Sequence, residues 1–321
     1  MTGAAVASCA VRVAVVDIGT NSTRLLIADV TAAGAVTQVV RESIVTRLGE
    51  GVDASGRLAD EPMQRVFDAL ERYRNAIDEH GATATTAVLT SAVRDAANGA
   101  AFMAEVRERF GLDARTIDGE EEAALTFAGA TSERVDDHRE LVVVDIGGGS
   151  TEFVTGRDGK VDFHVSTQAG VVRQTERHLH DDPPPPEGLQ ALAAEVAAIF
   201  AEAVPQELRE RVQAGIAVAG TATSCTAIEL ELEPYDPARV HGHILALPTC
   251  EMLLARLAQM TDEERREVAG LHPDRAPTIV AGIAMLVEVL RAFGLDEVEV
   301  SEHDILRGAA LRLALSPGPA V

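Results

Sequence analysis

The sequence contains few cysteines and no C-x-x-C pair. Its three cysteines, Cys9, Cys225 and Cys250, are odd in number and far apart. This spacing excludes a disulfide framework and a cysteine-based zinc site. We expect reduced thiols that serve only in packing.

The chain also lacks an excess of positive charge. Its 28 Lys and Arg residues face 51 Asp and Glu residues, which gives a net charge of −23 at pH 7. A general nucleic-acid binder needs a basic surface that releases counterions, so that class is excluded. A phosphate compound would have to be held by a few local arginines, helix N-termini or a metal ion. We therefore expect ligand binding to depend on divalent cations.

No hydrophobic run approaches the length of about eighteen residues that suggests a membrane span. Residues 4–16 are interrupted by Arg12 and lack the basic start of a secretory signal. These absences predict a cytoplasmic protein with no membrane partner. The Walker pattern G-x-x-x-x-G-K-[ST] and the dinucleotide pattern G-x-G-x-x-G are both missing as well.

One pattern, by contrast, occurs twice. Residues 15–23 read VVDIGTNST and residues 143–151 read VVDIGGGST. Each copy is a β-branched strand that runs into an aspartate and then a turn of small and hydroxyl residues, where backbone N–H groups can approach an anion closely. The repeat predicts two phosphate-binding turns, and we favour this interpretation over a duplication retained only for folding.

The order of elements predicts an α/β fold with two domains, a number that suits 321 residues. Predicted strands 11–17, 24–30 and 36–45 are repeated as 141–145, 151–156 and 160–166. We place the first domain at 1–130 and the second at 131–302, with a last helix, 303–315, joining the first and a disordered tail, 316–321. Residues 91–94 and 220–224 are predicted as turns that follow strands.

Five motifs follow one another along the chain: DIGTNS at 17–22, TSAVR at 90–94, GEEEA at 119–123, DIGGGSTE at 145–152 and GTAT at 220–223. In this order, from about Val11 to Leu313, they resemble the exopolyphosphatase / guanosine pentaphosphate phosphohydrolase (Ppx/GppA) family in its short two-domain form. The resemblance implies two RNase-H-like domains of the actin, Hsp70 and sugar-kinase superfold. It further implies mixed five-stranded sheets that face a central cleft, and a homodimer.

Two residues are candidates for catalysis. Glu122 ends an acidic triplet at a helix start, where compensation of the helix dipole is sufficient to explain Glu120 and Glu121. The resemblance matches Glu122 to the family's catalytic glutamate, so we interpret it as the general base. Arg94 follows a buried strand, and its charge needs either an anion or a carboxylate such as that of Asp95. The resemblance favours phosphate.

Asp145 and Glu152 are the candidate metal ligands. They flank the second glycine-rich turn, seven positions apart, and offer oxygen ligands to one hard cation, Mg²⁺ or Mn²⁺. The alternative is a turn-forming aspartate and a solvated strand glutamate.

The remaining candidates bind phosphate or line a substrate channel. The predicted phosphate-binding residues are Gly19, Thr20, Asn21, Ser22, Ser91, Gly147, Gly148, Gly149, Ser150, Thr151, Gly220, Thr221 and Ala222. The resemblance implies a channel lined by Arg24, His241 and Arg275. The His-x-His pairs 178/180 and 241/243 could bind a transition metal, but the sequence shows no third ligand, so we favour loop or rim positions.

The resemblance predicts a phosphoanhydride hydrolase that releases orthophosphate from the end of inorganic polyphosphate, mainly short chains. Hydrolysis of guanosine pentaphosphate (pppGpp) is the alternative, because it would use the same catalytic residues. A kinase or ATP-driven machine of the same superfold normally has a Gly-Gly adenosine loop where this chain has GTAT. A sensor that only binds polyphosphate or an alarmone would not need Glu122 or the two metal carboxylates.

Overall fold

The computed structural model describes residues 10–134 and 137–315, so the predicted tail at 316–321 lies outside the described residues. The strands are β1 (Val11–Ile18), β2 (Ser22–Val30), β3 (Val36–Val45), β4 (Ala84–Leu89), β5 (Ala114–Thr116), β6 (Leu141–Ile146), β7 (Thr151–Arg157), β8 (Lys160–Thr167), β9 (Ala214–Val218), β10 (Ile244–Ala246) and β11 (Glu297–Val300).

The helices are α1 (Val52–Ser55), α2 (Asp60–His80), α3 (Ser91–Asp95), α4 (Gly99–Phe110), α5 (Gly119–Ala130), α6 (Val171–His178), α7 (Pro186–Ala203), α8 (Gln206–Arg211), α9 (Ala219–Glu229), α10 (Pro237–Val240), α11 (Leu247–Leu257), α12 (Asp262–Arg266), α13 (Ile279–Phe293) and α14 (Ile305–Leu315). A 3₁₀ turn spans Pro273–Arg275.

The chain forms two compact units. Unit 1 runs to Ile117 and resumes at Ile305, and unit 2 is Asp118–Asp304. The sequence predicts a domain boundary after residue 130, whereas in the structure α5 belongs to unit 2. Its buried side chains, Phe127 among them, pack with Val143 of β6 and Val154 of β7. The chain therefore crosses between units before α5, because the apolar face of that helix is covered by the second sheet.

Unit 1 is built on a five-stranded mixed sheet in the order β3-β2-β1-β4-β5. β1 pairs antiparallel with β2 and parallel with β4. The apolar face of α2, including Val66, Leu70 and Tyr73, packs in the core of this unit with β1 and β2 side chains such as Val16 and Leu25. The last helix, α14, packs against β1 and β2. Parallel pairing of β1 and β4 places the segments that follow these two strands at one edge of the sheet.

Unit 2 repeats this arrangement with one strand more. Its order is β10-β11-β9-β6-β7-β8, with β6 antiparallel to β7 and parallel to β9. The expected count of five strands is wrong for this sheet, because the three-residue β10 pairs with β11 at its edge. The long apolar helix α13 lies in the core of this unit and contacts α7, α9 and α11. The predicted α/β class with two mixed sheets is confirmed.

Cys225 and Cys250 are packing residues, as expected. Cys225 and Cys250 are free and buried in unit 2, and Cys9 lies outside the described residues. Burial raises the pKa of both thiols, that of Cys250 to about 12. Such thiols stay protonated and unreactive at neutral pH. Among the described residues, no helix combines the length and the apolar character that a membrane span requires.

Candidate active site

The two copies of the repeated pattern fold into the same turn. Gly19 N–H donates to the carbonyl of Ser22 at 3.0 Å, and Gly147 N–H donates to that of Ser150 at 2.9 Å. A Cβ at Gly19 or Gly147 would lie 3.2 or 3.1 Å from the same carbonyl oxygen. Glycine therefore permits the tight approach in both units, as the sequence pattern indicated.

The residue opposite the aspartate differs between the two hairpins. Asp17 of β1 pairs in register with Arg24 of β2, and Arg24 Nε donates to Asp17 Oδ2 at 2.8 Å. At the equivalent register position of unit 2, Asp145 of β6 faces Glu152 of β7. The predicted channel residue Arg24 thus neutralises the first aspartate, whereas the second aspartate faces another acid.

Opposed carboxylates are suited to a cation. Like charges directly across an antiparallel pair destabilise it, and a divalent ion with oxygen ligands removes that repulsion. Glu152 is 5% exposed, and its Oε1 accepts a hydrogen bond from Ser166 Oγ at 2.7 Å, which orients the carboxylate. The donor set of Asp145 and Glu152 therefore fits Mg²⁺ or Mn²⁺.

In unit 1, the turn at residues 19–22 has a neighbour from β4. Thr90 N–H donates to the carbonyl of Ile18 at 3.3 Å, and the hydroxyls of Thr20 and Ser91 lie 2.9 Å apart. The predicted phosphate-binding residue Ser91 is thus beside the first turn. It begins helix α3 and not the turn we expected, which corrects that prediction.

Arg94 lies in the same short helix. Its Nη1 donates to the carbonyl of Ile117 at 3.0 Å, and its Nε lies 3.7 Å from Asp95 Oδ1. The contact with Asp95 is long for an ion pair with a partially exposed side chain, so it stabilises the protein little. A role of Arg94 in phosphate binding stays a prediction.

In unit 2, the neighbour of the second turn comes from β9. Asp145 pairs with Val218, so Ala219 and Gly220 follow β9 at the same sheet edge where Gly147 follows β6. Ala219 has a φ of 62°, a left-handed conformation that alanine rarely adopts. This reversal lets α9 begin directly after the strand.

Residues 220–222 are therefore the first turn of a helix, and the predicted turn at 220–224 is wrong. Gly220, Thr221 and Ala222 lie in the first turn of α9, where backbone N–H groups have no acceptor within the helix. Such a helix start favours anions. A role of these three residues in phosphate binding stays a prediction.

The guanidinium of Arg275 lies directly over Gly220. A Cβ at Gly220 would overlap the Nη1, Cζ and Nη2 atoms of that arginine. The arginine was predicted only as a channel residue, and the glycine only as a phosphate donor. Their contact places a positive charge at the N-terminus of α9, which strengthens the anion-binding character of this end of the helix.

Sequence reasoning missed the glycines that support the two turns. A Cβ at Gly170 would lie 2.5 Å from the carbonyl carbon of Gly148 and closer still to its oxygen. The first N–H groups of α6, those of Val171 and Val172, donate to the carbonyls of Gly147 and Gly148, each at 2.9 Å. Gly170 therefore lets the start of α6 rest against the glycine-rich turn.

Gly49 has the corresponding position in unit 1. Its N–H donates to the Thr20 carbonyl at 2.8 Å, and a Cβ there would lie 3.3 Å from Thr20 Cβ. Gly49 and Gly170 each follow the third strand of their sheet by a few residues. This shared spacing is the signal that could have identified them.

Glu122 differs from the other two acids of its triplet. Glu120 is exposed and Glu121 half-buried, whereas Glu122 is 9% exposed. Asp118 caps the helix, since its side chain accepts the Glu121 N–H at 2.8 Å. Helix α5 packs on the sheet that carries Asp145, so the predicted base and metal ligands belong to the same unit.

The two histidines of the 241/243 pair have different surroundings. His243 Nε2 lies 2.8 Å from Glu229 Oε2. His241, the predicted channel residue, stacks on His303 with ring centroids 4.0 Å apart, and its Nε2 lies 3.8 Å from Glu133 Oε2. The pair therefore does not act as one chelating unit.

Known proteins share both the sequence and the fold. A sequence model of the Ppx/GppA phosphatase family matches residues 26–316. Exopolyphosphatase 2 of Mycobacterium tuberculosis is 39% identical over 317 residues, which cover 94% of this chain and 98% of that protein.

Solved structures of similar proteins superpose closely on this chain. The crystal structure of an exopolyphosphatase-like protein superposes with a TM-score of 0.89 at 36% identity, covering 95% of this chain and 98% of the other. The crystal structure of the Aquifex aeolicus member of the Ppx/GppA family superposes with a TM-score of 0.81 at 30% identity, covering 97% of this chain and 100% of the other. The chain therefore belongs to the Ppx/GppA phosphatase family, which confirms the family and the hydrolase class predicted from its five motifs.

Proposed function

We propose that this protein is a metal-dependent exopolyphosphatase, which removes terminal orthophosphate from inorganic polyphosphate. The observation that carries the metal-dependent chemistry is the opposed pair Asp145 and Glu152 beside a glycine-rich turn. The choice of substrate is supported by the near full-length similarity to exopolyphosphatase 2 of Mycobacterium tuberculosis.

Asp145 and Glu152 would hold Mg²⁺ or Mn²⁺. The ion, when bound, would neutralise phosphate oxygens and so lower the barrier to attack at phosphorus. Ser166 would keep the Glu152 carboxylate oriented through its 2.7 Å hydrogen bond.

The phosphate oxygens would be bound by backbone and hydroxyl donors. In unit 2, the turn at 147–151 and the first turn of α9 would supply N–H groups; in unit 1, the turn at 19–22 would supply N–H groups and Thr20 and Ser91 would supply hydroxyls. The sequence contains one lysine, Lys160. Because Lys160 lies at the opposite end of β7 from the glycine-rich turn, side-chain cations for phosphate must be arginines. Arg275, at the start of α9, is a candidate for this role.

Glu122 would act as the general base. In that role it takes a proton from the attacking water as the new P–O bond forms, and the bridging P–O bond breaks to release a chain shortened by one phosphate. Its burial, unlike the exposure of Glu120, suits a group that must be shielded from bulk water.

The test is orthophosphate release with Mg²⁺ or Mn²⁺ from short-chain polyphosphate, long-chain polyphosphate and pppGpp in parallel. Glu122→Gln should remove most of the release, and Glu120→Gln is the matched control in the same triplet. The proposal is supported if the wild type and Glu120→Gln release orthophosphate from polyphosphate and Glu122→Gln loses most of that release. Release from pppGpp alone overturns it in favour of nucleotide hydrolysis. No release from any substrate, with retained binding, would favour a sensor.

A further inference from the structure

A second cluster of potential metal ligands lies in unit 2, apart from the paired carboxylates. Glu133, His241 and His303 each offer one ligand atom, and these atoms all lie within 4.8 Å of one another. Glu133 Oε2 is 3.8 Å from His241 Nε2 and 3.9 Å from His303 Nδ1. Across residues 10–134 and 137–315, no other three such side chains come together in this way.

The position of His241 is fixed by backbone pairing. Gly242 N–H donates to the Val300 carbonyl, and Val300 N–H donates to the His243 carbonyl, both at 2.8 Å. These bonds continue the β10–β11 ladder up to the residue next to His241. The imidazole is therefore attached to a rigid part of the sheet and not to a free loop.

His303 is fixed by a serine turn directly after β11. Ser301 N–H donates to the Ala217 carbonyl of β9 at 2.9 Å. Ser301 Oγ accepts the His303 N–H at 2.9 Å and donates to the His303 carbonyl at 3.2 Å. The two imidazoles thus approach each other because the segment of His241 pairs with β11 and the segment of His303 directly follows β11.

The segment that carries Glu133 is anchored to β11 as well. The next residue, Arg134, forms an ion pair with Glu299 of β11 and a second one with Asp137 at 2.9 Å. The Glu133 side chain itself is 57% exposed, so it can move toward the histidines. Two fixed imidazoles and one adjustable carboxylate from three chain segments therefore meet at one place.

Two imidazole nitrogens and one carboxylate oxygen form a donor set typical of zinc and similar ions. Ligand atoms about 2.0–2.1 Å from a tetrahedral ion are about 3.3 Å apart. The observed distances of 3.8 and 3.9 Å must therefore shorten by about half an ångström. Rotation of the exposed Glu133 side chain supplies that movement, and the nitrogens of the two histidines, which lie within 4.8 Å of each other, adjust by rotation of the imidazole rings.

Metal binding through His241 Nε2 requires a change in the tautomer of this imidazole. In the structure His241 Nδ1 accepts the Glu302 N–H at 3.3 Å, which requires the proton on Nε2. Coordination through Nε2 moves the proton to Nδ1, where Ser301 Oγ, 3.5 Å away, can accept it. One long backbone hydrogen bond is exchanged for a metal bond and a hydroxyl contact.

We propose that Glu133, His241 and His303 bind one divalent transition-metal ion of the Zn²⁺ type, with the fourth position open to water. This site is distinct in its nitrogen ligands from the oxygen-only pair Asp145 and Glu152. It does not depend on the proposed hydrolase activity, and its test uses no substrate.

The test is a Zn²⁺ titration of the metal-free protein in competition with a chromophoric chelator. Excess Mg²⁺ is present throughout to saturate oxygen-only sites. The wild type should bind one equivalent, and His303→Ala and Glu133→Gln should each weaken binding at least tenfold. His243→Ala is the matched control, because its imidazole contacts Glu229 outside the cluster, and it should bind like the wild type.

Substitution with Co²⁺ gives a second readout. The wild type should show the visible absorption of a tetrahedral Co²⁺ site, and Glu133→Gln should lose it while keeping its circular dichroism spectrum. Glu133 is exposed, so this variant should fold even if His303→Ala does not. Equal Zn²⁺ affinity in the wild type and Glu133→Gln, or no tetrahedral Co²⁺ spectrum in the wild type, would overturn the proposal.

Discussion

The substitution Gly170→Ala should distort the glycine-rich turn at 147–151 without unfolding the protein. The new Cβ would lie 2.5 Å from the carbonyl carbon of Gly148. Carbon atoms in contact are about 3.5 Å or more apart, so the turn or the start of α6 must move by about 1 Å. The bonds from Val171 and Val172 to the turn, each 2.9 Å, must lengthen as it moves.

Two effects of known size follow from this displacement. Overpacking of this kind destabilises a protein by about 1–3 kcal/mol. A misplacement of about 1 Å in a positioning element lowers turnover by about 100-fold. We therefore expect the rate of orthophosphate release from polyphosphate, per folded molecule, to fall about 100-fold in Gly170→Ala. The free energy of unfolding should fall only moderately.

Gly156→Ala is the matched control. A Cβ at Gly156 would lie 3.0 Å from the carbonyl carbon of Lys160 and closer to its oxygen, a clash with backbone, and 2.9 Å from the ring of Phe127. Gly156 pairs with Leu141, at the end of the hairpin away from the turn. Urea unfolding should show similar destabilisation for both variants, but only Gly170→Ala should lose turnover. Turnover of Gly170→Ala within a few-fold of wild type, or an equal loss in Gly156→Ala, would refute this reasoning.

Three further predictions concern charged residues. Glu122→Gln should lower turnover by about 10²- to 10⁴-fold with little change in polyphosphate affinity, measured by steady-state kinetics and equilibrium binding, whereas Glu120→Gln should behave like the wild type. Asp145→Asn should raise the Mg²⁺ concentration for half-maximal activity by about tenfold or more, and an unchanged metal titration would exclude it as a ligand. Hydrogen bonding to Arg139 lowers the pKa of Asp137. Asp137→Asn should therefore lower the free energy of unfolding by about 1 kcal/mol at pH 7. This difference from the wild type should shrink as the pH falls below the unfolded-state pKa of about 4. Urea unfolding that gives the same difference at pH 7 and pH 3 would contradict this prediction.

The positions of the strands and the two turns were predictable because their signals are local and repeated. A β-branched strand followed by Asp-Ile-Gly specifies both a buried strand and a tight reversal, and the second copy supports the first. The predicted strand 36–45 agrees residue for residue with β3, and predicted strand 141–145 is one residue short of β6. The pairing of Asp145 with Glu152 also follows from the hairpin register once the turn is recognised.

The errors occurred where tertiary packing overrides local preference. Ser91 begins α3 and Gly220 lies in the first turn of α9, although glycine, serine and their β-branched neighbours are weak helix formers. The three residues of β10 are too few to show a period, and they pair only because β11 is beside them. Gly170 shares with Gly49 only its distance from the preceding strand, and the approach of α6 to the turn shows why a glycine is required there.

The charge opposite each aspartate gives a simple means of comparing members of the family. Arg24 and Glu152 both stand seven positions after the aspartate of their hairpin. The first hairpin places a guanidinium opposite its aspartate, whereas the second places another carboxylate there, a pair suited to a cation. A related sequence with acids at both positions should need two ions, and one with arginine at both should need none at these hairpins. The residue at this single offset would then report metal stoichiometry directly from a gene sequence.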